Sequence, residues 1–390
     1  MDSIDRFLHE KKIDAYLMIS ESQNNASMYY LTGFLAPDSF IYLKKNEEGI
    51  LFISQMEYGR AKKESTVKRI ESTLDHGIME KVRGNKDPNL AFCDFISDLM
   101  GEYEIKSVAV PMDFPIYVGD CLRKNGIKVV PQSNLIENDR SIKTPSEVDL
   151  IKKAQFACEK AMKAAINVIK NSNNKKGALF YKGESLTSEK VKQAIKHTLI
   201  DWGCTDEDPI VACGKQASDP HFSGSGQLMA NQPVIIDIFP RLQRGRYFSD
   251  MSRTVSFGKP STEVMDMYVA VLDAQNRAIE MVKPGVKCSD IHNAVCDLFE
   301  ERGYGTTRKN DRSGFIHATG HGVGLEIHEK PTISENDYVL LTGNVITIEP
   351  GLYDPKLGGV RIEDILLVKN KKCENLTKFK KDIVVDMAMK

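Results

Sequence analysis

Two aspartates lie close together in the sequence, in a region whose apolar residues predict burial. An unpaired carboxylate would be costly to bury there. Asp237 lies near the end of the apolar run Val234–Ile238, and Asp250 follows it thirteen residues later. If both belong to a hairpin and lie directly opposite each other, the turn falls between Gln243 and Arg244 and the Cβ atoms are about 5 Å apart. Like charges at that distance repel unless a cation lies between them. The alternative is a pair of unrelated surface aspartates.

Two glutamates repeat this arrangement nearer the C-terminus. Glu349 directly follows the apolar run Val-Ile-Thr-Ile, and Glu363 lies within residues 360–368, whose pattern predicts one strand. Side chains alternate between the two faces of a strand, so Arg361 and Glu363 share one face and Asp364 points to the other. Glu363 and Asp364 therefore cannot both reach the same site. An ion pair between Arg361 and Glu363 is the alternative to a ligand role.

Three of the eight histidines fall within twelve residues: His317, His321 and His328. Glycine flanks His321 on both sides, and a third glycine follows two residues later. Glycine allows backbone conformations that other residues resist, and it lets a ligand approach the chain closely. A lone histidine is usually structural, whereas this cluster indicates a functional site.

Together these residues form a set of four carboxylates and one imidazole. Without cations, four negative charges in one pocket would raise the carboxyl pKa values strongly. Two divalent cations would balance the charge, and the ligand types suit Mn²⁺, Co²⁺, Fe²⁺ or Zn²⁺ better than copper or an iron–sulfur cluster. Two such ions about 3.5–4 Å apart can share a hydroxide and polarise a carbonyl group. The set therefore predicts metal-assisted hydrolysis of an amide.

The elements that carry these residues predict an α+β domain over residues 141–390. Its first helix is expected after Thr144-Pro-Ser-Glu147, which has the form of a capping box with proline at the first helical position. Further helices are predicted at 187–202, at 261–282 and from an N-cap at Ser289 to just before Gly303. Strands are predicted at 234–238, 248–257, 345–348 and 360–368. Helices alternating with strand pairs predict a largely antiparallel sheet covered by helices.

Residues 1–140 alternate strand-like and helical patterns and predict a separate α/β domain. Its strands are expected at Asp14–Ile19, Phe40–Leu43, Ile50–Ile53 and Lys106–Pro111. A length of 390 residues fits two domains of this kind.

Composition excludes several classes of function. The net charge is -1, from 53 basic and 54 acidic residues, which argues against a nucleic-acid partner or a membrane-binding surface. The charged N-terminal segment does not resemble a signal peptide, and no apolar run approaches membrane-spanning length, so we expect a cytoplasmic protein. The eight cysteines form no C-x-x-C pair and are expected to be free thiols.

The motifs resemble those of the pita-bread metallopeptidases, which include Xaa-Pro aminopeptidases, Xaa-Pro dipeptidases (prolidases) and methionine aminopeptidases. All five ligand positions are filled in the family's order. The likeness lies in the paired aspartates Asp237 and Asp250, in Gly-His321-Gly-Val-Gly-Leu-Glu-Ile-His328-Glu, in Ile-Glu349-Pro-Gly, in Arg-Ile-Glu363-Asp and in Tyr30-Leu-Thr-Gly-Phe34. It implies a creatinase-like N-terminal domain over 1–140 and a pita-bread catalytic domain over 141–390, with a curved antiparallel sheet covered by helices.

Carried over position by position, the resemblance implies a role for each residue. The metal ligands would be Asp237, Asp250, His321, Glu349 and Glu363, with Asp250 and Glu363 bridging two divalent ions. His221 would lie near the amino end of the substrate, and His328 would stabilise the tetrahedral intermediate. Glu349 would also carry the proton to the leaving amine. His317 and Arg361 would be further substrate-binding residues.

The N-terminal domain favours the proline-specific branch of the family over methionine aminopeptidase. The resemblance then implies attack by a bridging hydroxide on the bond before proline, in a peptide with proline in second position. It also implies a homodimer in which the partner helps to enclose the pocket. An Xaa-Pro bond needs a dedicated enzyme because its amide lacks an N–H.

Two departures from the family pattern leave the substrate preference open. The aspartates are thirteen residues apart, and Asp-Ile-Phe-Pro stands where Asp-x-Gly-x is common. Two alternatives share the fold: a creatinase-like hydrolase without metal, and a catalytically inactive binding module. Both classes usually lose the ligand carboxylates, which this chain retains.

Overall fold

The structure, a computed structural model, describes residues 2–205 and 208–385 and divides into two compact units, Met1–Arg140 and Ser141–Lys390. The strands of the first unit are β1 Ala15–Ser20, β2 Phe40–Lys45, β3 Glu48–Ile53, β4 Arg69–Ser72, β5 Ser107–Pro111 and β6 Lys128–Gln132. Its helices are α1 Ser3–Lys11, α2 Ala26–Thr32, α3 Gln55–Glu64, α4 Ile78–Gly84, α5 Pro88–Glu102, α6 Ile116–Lys124 and α7 Leu135–Ser141.

The first unit is built on one mixed six-stranded sheet with the order β4-β3-β2-β1-β5-β6. The β1–β2 and β2–β3 pairs are antiparallel and the other three are parallel. All four strands predicted for this region are present. The prediction missed β4 and β6, which lie at the two edges of the sheet. Edge strands are only partly buried, so they lack the continuous apolar run by which the central strands were recognised.

The second unit contains four long helices and many short strands. The helices are α8 Pro145–Lys170, α9 Ser188–Asp201, α10 Thr262–Met281 and α11 Cys288–Glu301. The strands are β7 Asn173–Lys175, β8 Ala178–Tyr181, β9 Glu184–Ser185, β10 Cys204–Thr205, β11 Ile210–Cys213, β12 Val234–Ile238, β13 Arg241–Leu242, β14 Met251–Val255, β15 Gly320–Gly322, β16 Glu329–Ile333, β17 Val345–Ile348, β18 Gly351–Asp354, β19 Gly358–Arg361, β20 Asp364–Val368 and β21 Cys373–Asn375.

Helix α8 begins with the predicted capping box. The amide of Glu147 donates to the Thr144 hydroxyl, and the Glu147 carboxylate accepts from the Thr144 amide at 2.7 Å. Its buried face has the predicted helical spacing and includes Ile151, Ala154 and Cys158. Helices α9 and α10 also lie where they were predicted.

The N-cap predicted for α11 is wrong by two positions. The cap residue is Lys287, and Ser289 lies inside the first turn. Cys288 is fully buried, and its amide donates to the carbonyl oxygen of Tyr338 at 2.8 Å. A tertiary contact therefore sets the start of this helix, although serine is the better local capping residue.

Two helix pairs each cover one antiparallel sheet. Helices α8 and α9 pack on the sheet β11-β12-β14, and α10 and α11 pack on the sheet β16-β15-β17-β20-β21. This arrangement confirms the predicted α+β fold with helices over antiparallel strands. None of the helices in the described ranges is both long and apolar enough to cross a membrane.

Two predicted strands are shorter than expected. The segment 248–257 is a strand only at β14. The segment 360–368 is two strands, because β19 pairs with β18 whereas β20 pairs with β17 in another sheet. Glu363 lies at the break between them, where its amide donates to the carbonyl oxygen of Ser252 at 3.1 Å. The apolar pattern continues through the break because both strands are buried.

Candidate metal centre

The five predicted ligands lie at or next to strand ends in two sheets. Asp237 is in β12 and Asp250 directly precedes β14. His321 is in β15, Glu349 directly follows β17 and Glu363 directly precedes β20. Strand ends are held by the sheet ladder but have space beyond them, so side chains there can converge on a cavity.

The aspartates are not directly opposite each other, as the hairpin prediction had them. Asp237 pairs with Ser252, so Asp250 is displaced by two residues along β14. A displacement of two residues keeps both aspartates on the same face of the sheet, where they are diagonal neighbours. The turn is accordingly centred one position later than predicted.

The glutamates do lie opposite each other at the end of the β17–β20 ladder. Ile348 and Asp364 form the last pair, and Glu349 and Glu363 are the next positions in that register. Asp364 points away from the cavity and forms a buried ion pair with Arg253 at 2.8 Å. The expectation that Glu363 and Asp364 face different surroundings is thus confirmed.

His321 is oriented so that one ring nitrogen faces the carboxylates. Its Nδ1 lies 3.1 Å from the carbonyl oxygen of Gly322, and because a carbonyl can only accept, Nδ1 carries the proton. The lone pair of Nε2 then points at Asp250, Glu349 and Glu363, whose nearest oxygens are 3.6, 3.4 and 3.9 Å away. This is the tautomer that a metal-binding histidine needs.

The glycines around His321 are required by the neighbouring strands. A Cβ atom at Gly320 would lie 2.0 Å from the carbonyl oxygen of Thr347, and one at Gly322 would lie 2.2 Å from that of Lys330. Close backbone packing on both sides of β15 therefore explains these residues. The sequence interpretation had assigned the space to an approaching ligand.

Three carboxylate oxygens in this cluster are buried without any hydrogen-bond partner among the described residues. They are Oδ1 of Asp237, Oδ1 of Asp250 and Oε1 of Glu363. Leaving a buried carboxylate oxygen unsatisfied is costly, because the group has lost its water and gained nothing in exchange. Asp250, His321 and Glu363 place their donor atoms within 4.8 Å of one another. Carboxylate oxygens without partners, in a cluster that also holds an imidazole nitrogen, fit a bound divalent cation.

Burial and mutual repulsion disfavour the charged carboxylates when no cation is present. Burial, reinforced by Glu363 and Asp237, raises the pKa of Asp250 well above its usual range. Burial, reinforced by Glu349 and Asp237, does the same to the pKa of Glu363. Burial also raises the pKa of Glu349 to about 8 and lowers the pKa of His321 to about 4. Bound cations would reverse the effect on the carboxyl groups.

Arg361 pairs with Asp237, not with Glu363 as the alternative interpretation had it. Its Nη2 donates to Oδ2 of Asp237 at 2.7 Å, and its Nε donates to the hydroxyl of Ser252 at 2.8 Å. Because Oδ2 is occupied, Oδ1 of Asp237 is the oxygen that remains for a metal. Arg361 thus fixes the orientation of the Asp237 carboxylate.

Tyr353 joins Arg361 to His317, and the sequence interpretation did not identify it. Nη1 of Arg361 donates to the Tyr353 hydroxyl at 2.9 Å, and that hydroxyl lies 2.9 Å from Nε2 of His317. Nδ1 of His317 is hydrogen-bonded to the carbonyl oxygen of Ala318, so both ring nitrogens have hydrogen-bond partners. Burial lowers the pKa of His317 to about 3 and keeps the ring neutral. The only sequence signal for Tyr353 is its place two residues after Pro-Gly in the glutamate motif.

A cavity of about 610 Å³ opens over the ligands. All nine predicted site residues line it: His221, Asp237, Asp250, His317, His321, His328, Glu349, Arg361 and Glu363. The His328 ring is exposed and lies edge-on to the His321 ring, with 4.3 Å between centroids. His221 is exposed at the rim. The apolar lining residues Ile210, Phe239 and Ile327 were not predicted, because nothing in a single apolar residue marks it as facing a cavity.

The chain matches known protein families over almost its whole length. Residues 149–370 match the model of metallopeptidase family M24, and residues 1–142 match the model of the creatinase/prolidase N-terminal domain. An Xaa-Pro dipeptidase of Pyrococcus horikoshii is 31% identical over 382 residues, which cover 97% of this chain and 96% of the relative.

Comparison with solved structures supports the same family. A prolidase from Pyrococcus horikoshii OT3 has a TM-score of 0.80 at 30% sequence identity, covering 98% of this chain and 99% of that one. An X-Pro aminopeptidase from Thermotoga maritima has a TM-score of 0.79 at 26% identity, with the same coverage. The chain therefore belongs to metallopeptidase family M24 and carries a creatinase/prolidase N-terminal domain, which confirms the predicted family and fold.

Proposed function

We propose that this chain is a metal-dependent exopeptidase that hydrolyses the bond between an N-terminal residue and proline. The observation that carries the proposal is that Asp237, Asp250 and Glu363 each keep a buried carboxylate oxygen without a hydrogen-bond partner among the described residues. In the same cluster, Nε2 of His321 lies 3.6, 3.4 and 3.9 Å from oxygens of Asp250, Glu349 and Glu363. Relatives named Xaa-Pro dipeptidase support the substrate class. We assign the catalytic domain to residues 141–390 and the N-terminal domain to residues 1–140.

Two divalent ions, of Mn, Co, Fe or Zn, would be held by the five ligands. The ligand set would be Asp237, Asp250, His321, Glu349 and Glu363. When bound, such ions supply Lewis-acid chemistry: they lower the pKa of a water molecule and polarise the scissile carbonyl.

The side chains of the pocket supply the remaining steps. Glu349 lies at the edge of the ligand set with its side chain 18% exposed, so it can take a proton from the attacking water and pass it to the proline nitrogen. That nitrogen must gain a proton to leave as an amine. The exposed ring of His328 can donate a hydrogen bond to the oxygen on which negative charge develops. His221 at the rim contacts the amino end of the substrate, and His317 and Arg361 complete the pocket.

The proposal is tested by metal analysis and peptide hydrolysis on the same samples. Protein freed of metal with a chelator should regain activity on Xaa-Pro peptides when Mn²⁺ or Co²⁺ is added. Asp250→Asn should lose both tightly bound metal and turnover. Asp273→Asn is a matched control, because Asp273 lies on the surface of α10 in an exposed ion pair with Arg302. It should keep both properties.

The possible results separate the proposal from its alternatives. Near-normal turnover in Asp250→Asn would refute the ligand assignment. Wild-type protein that binds metal but cleaves no Xaa-Pro peptide would indicate an inactive binding module. Activity without metal on a small guanidino compound would indicate a creatinase-like enzyme.

Three finer properties belong to the same proposal. Comparing an Xaa-Pro dipeptide with an Xaa-Pro-Yaa tripeptide decides between a dipeptidase and an aminopeptidase. We propose that the enzyme is a homodimer, which sedimentation equilibrium tests directly. We also propose that it works in the cytoplasm, which fractionation of its native cells would test.

A further inference from the structure

Phe239 places an aromatic ring beside two of the proposed metal ligands. It follows Asp237 by two residues, so both side chains lie on the same face of the strand. The β12–β14 register continues beyond Ile238, because the amide of Ser249 donates to the carbonyl oxygen of Pro240 at 3.0 Å. Phe239 is therefore directly opposite Asp250. The residue is half-buried and lines the cavity.

The backbone around Phe239 keeps the ring at this position. A residue before proline is restricted to extended conformations, and Pro240 is itself buried. Ile210 pairs directly with Asp237 from the other side of β12 and is also in the cavity lining. Phe239 and Ile210 thus form an apolar wall next to Asp237, and the strand pairing on either side holds the backbone that carries both residues.

Charge indicates which part of a substrate meets this wall. Asp208 lies two residues before the start of β11 at Ile210, and it lines the same cavity as Phe239, outside the ligand set. Asp208 is exposed and forms an ion pair with Lys192 at 3.3 Å. Because Asp208 stays outside the ligand set, its carboxylate favours the free ammonium group of a peptide over the peptide's own carboxylate. The N-terminal residue of the substrate, and with it that residue's side chain, therefore lies against Phe239.

We propose that Phe239 sets the size of the side chain that is accepted immediately before proline. This inference rests on the proposed function, and it names the substrate preference of that same site. A large rigid ring next to the reacting carbonyl occupies space that a bulky substrate side chain would need. Small side chains fit against the ring and Ile210, whereas aromatic ones collide with it.

The test measures kcat/KM for Ala-Pro, Leu-Pro and Phe-Pro with the metal-loaded enzyme. Phe239→Ala should raise the ratio of Phe-Pro to Ala-Pro by at least about tenfold, because a few carbon atoms in an apolar pocket change kcat/KM by roughly 10–200-fold. Phe239→Leu should raise it by an intermediate amount with little risk to folding. Phe156→Ala is the matched control, because this phenylalanine is exposed on α8 and packs on Trp202. It should leave the ratio unchanged.

Each of the other experimental outcomes would contradict a specific claim. An unchanged ratio in both Phe239 variants, with wild-type enzyme active, overturns the inference and leaves the proposed function intact. A second result also overturns the inference: the variants discriminate differently between Ala-Pro and an analogue with a larger imino-acid ring, but their Phe-Pro to Ala-Pro ratio is unchanged. The Phe239 ring would then border the proline of the substrate. Metal-loaded wild type that cleaves none of these peptides overturns the proposed function itself.

Discussion

The free energy of unfolding of the metal-free protein should fall as the pH rises from 6.5 to 8.0, because the Glu349 side chain is largely withdrawn from solvent, at 18% exposure. Burial raises the pKa of Glu349 to about 8 from its usual 4.5. A raised carboxyl pKa in the folded state favours the protonated form, so its contribution is complete below pH 4.5 and is lost as the pH rises through 8. Each pH unit within that range costs about 1.4 kcal/mol.

The buried histidines also make the stability depend on pH, and they limit the pH range in which the Glu349 effect dominates. Burial lowers the pKa of His321 to about 4 and that of His317 to about 3, from the usual 6.5. A lowered histidine pKa stabilises the fold above pH 6.5, and this contribution is lost as the pH falls below it. Below pH 6.5 the two effects oppose each other. Above pH 6.5 the histidine contribution is nearly complete and grows by only about 0.4 kcal/mol per histidine, whereas Glu349 alone accounts for a loss of about 2 kcal/mol between pH 6.5 and 8.0.

Urea unfolding at pH 6.5 and pH 8.0, after removal of metal with a chelator, measures the difference. Wild type should lose about 2 kcal/mol or more, because burial raises the pKa values of Asp250 and Glu363 in the same direction. Glu349→Gln should show a smaller loss, and metal-loaded wild type should show none, since cations favour ionised ligands. Metal-free protein that is equally stable or more stable at pH 8.0 would refute the reasoning.

Three further predictions concern single substitutions. Arg253→Met removes the guanidinium that pairs with buried Asp364 and donates to the carbonyl oxygen of Glu363. Asp364 keeps its ion pair with Lys381, so the change should cost about 2 kcal/mol in urea unfolding, with metal content kept; a loss under 1 kcal/mol would contradict this. Gly322→Ala forces a Cβ against the carbonyl oxygen of Lys330 and should cost about 2 kcal/mol or more and reduce bound metal, which elemental analysis would show. His328→Ala should lower kcat on an Xaa-Pro peptide at least about hundredfold with metal content unchanged. Loss of metal in that variant would mean that the role of His328 is misassigned.

Much of the candidate site could be predicted from local sequence. Asp237 and Glu349 follow apolar strand runs, and a carboxylate there needs a partner wherever the strand is buried. Glycines beside His321 mark a position where the backbone is closely approached. The capping box at Thr144 predicted the start of α8, because both of its hydrogen bonds are local.

Other features depended on contacts between residues far apart in the chain. Which strands and loops meet decides three of these features: the offset of Asp250, the break between β19 and β20, and the start of α11. The apolar periodicity of the sequence would be the same if other segments met, so it could not predict them. The same holds for the pairing of Arg361 with Asp237, more than one hundred residues away. The sequence by itself therefore determined which groups are present and which elements carry them. Only tertiary packing decided their register, their partners and the face that Phe239 turns to the cavity, because those choices depend on distances that no local pattern encodes.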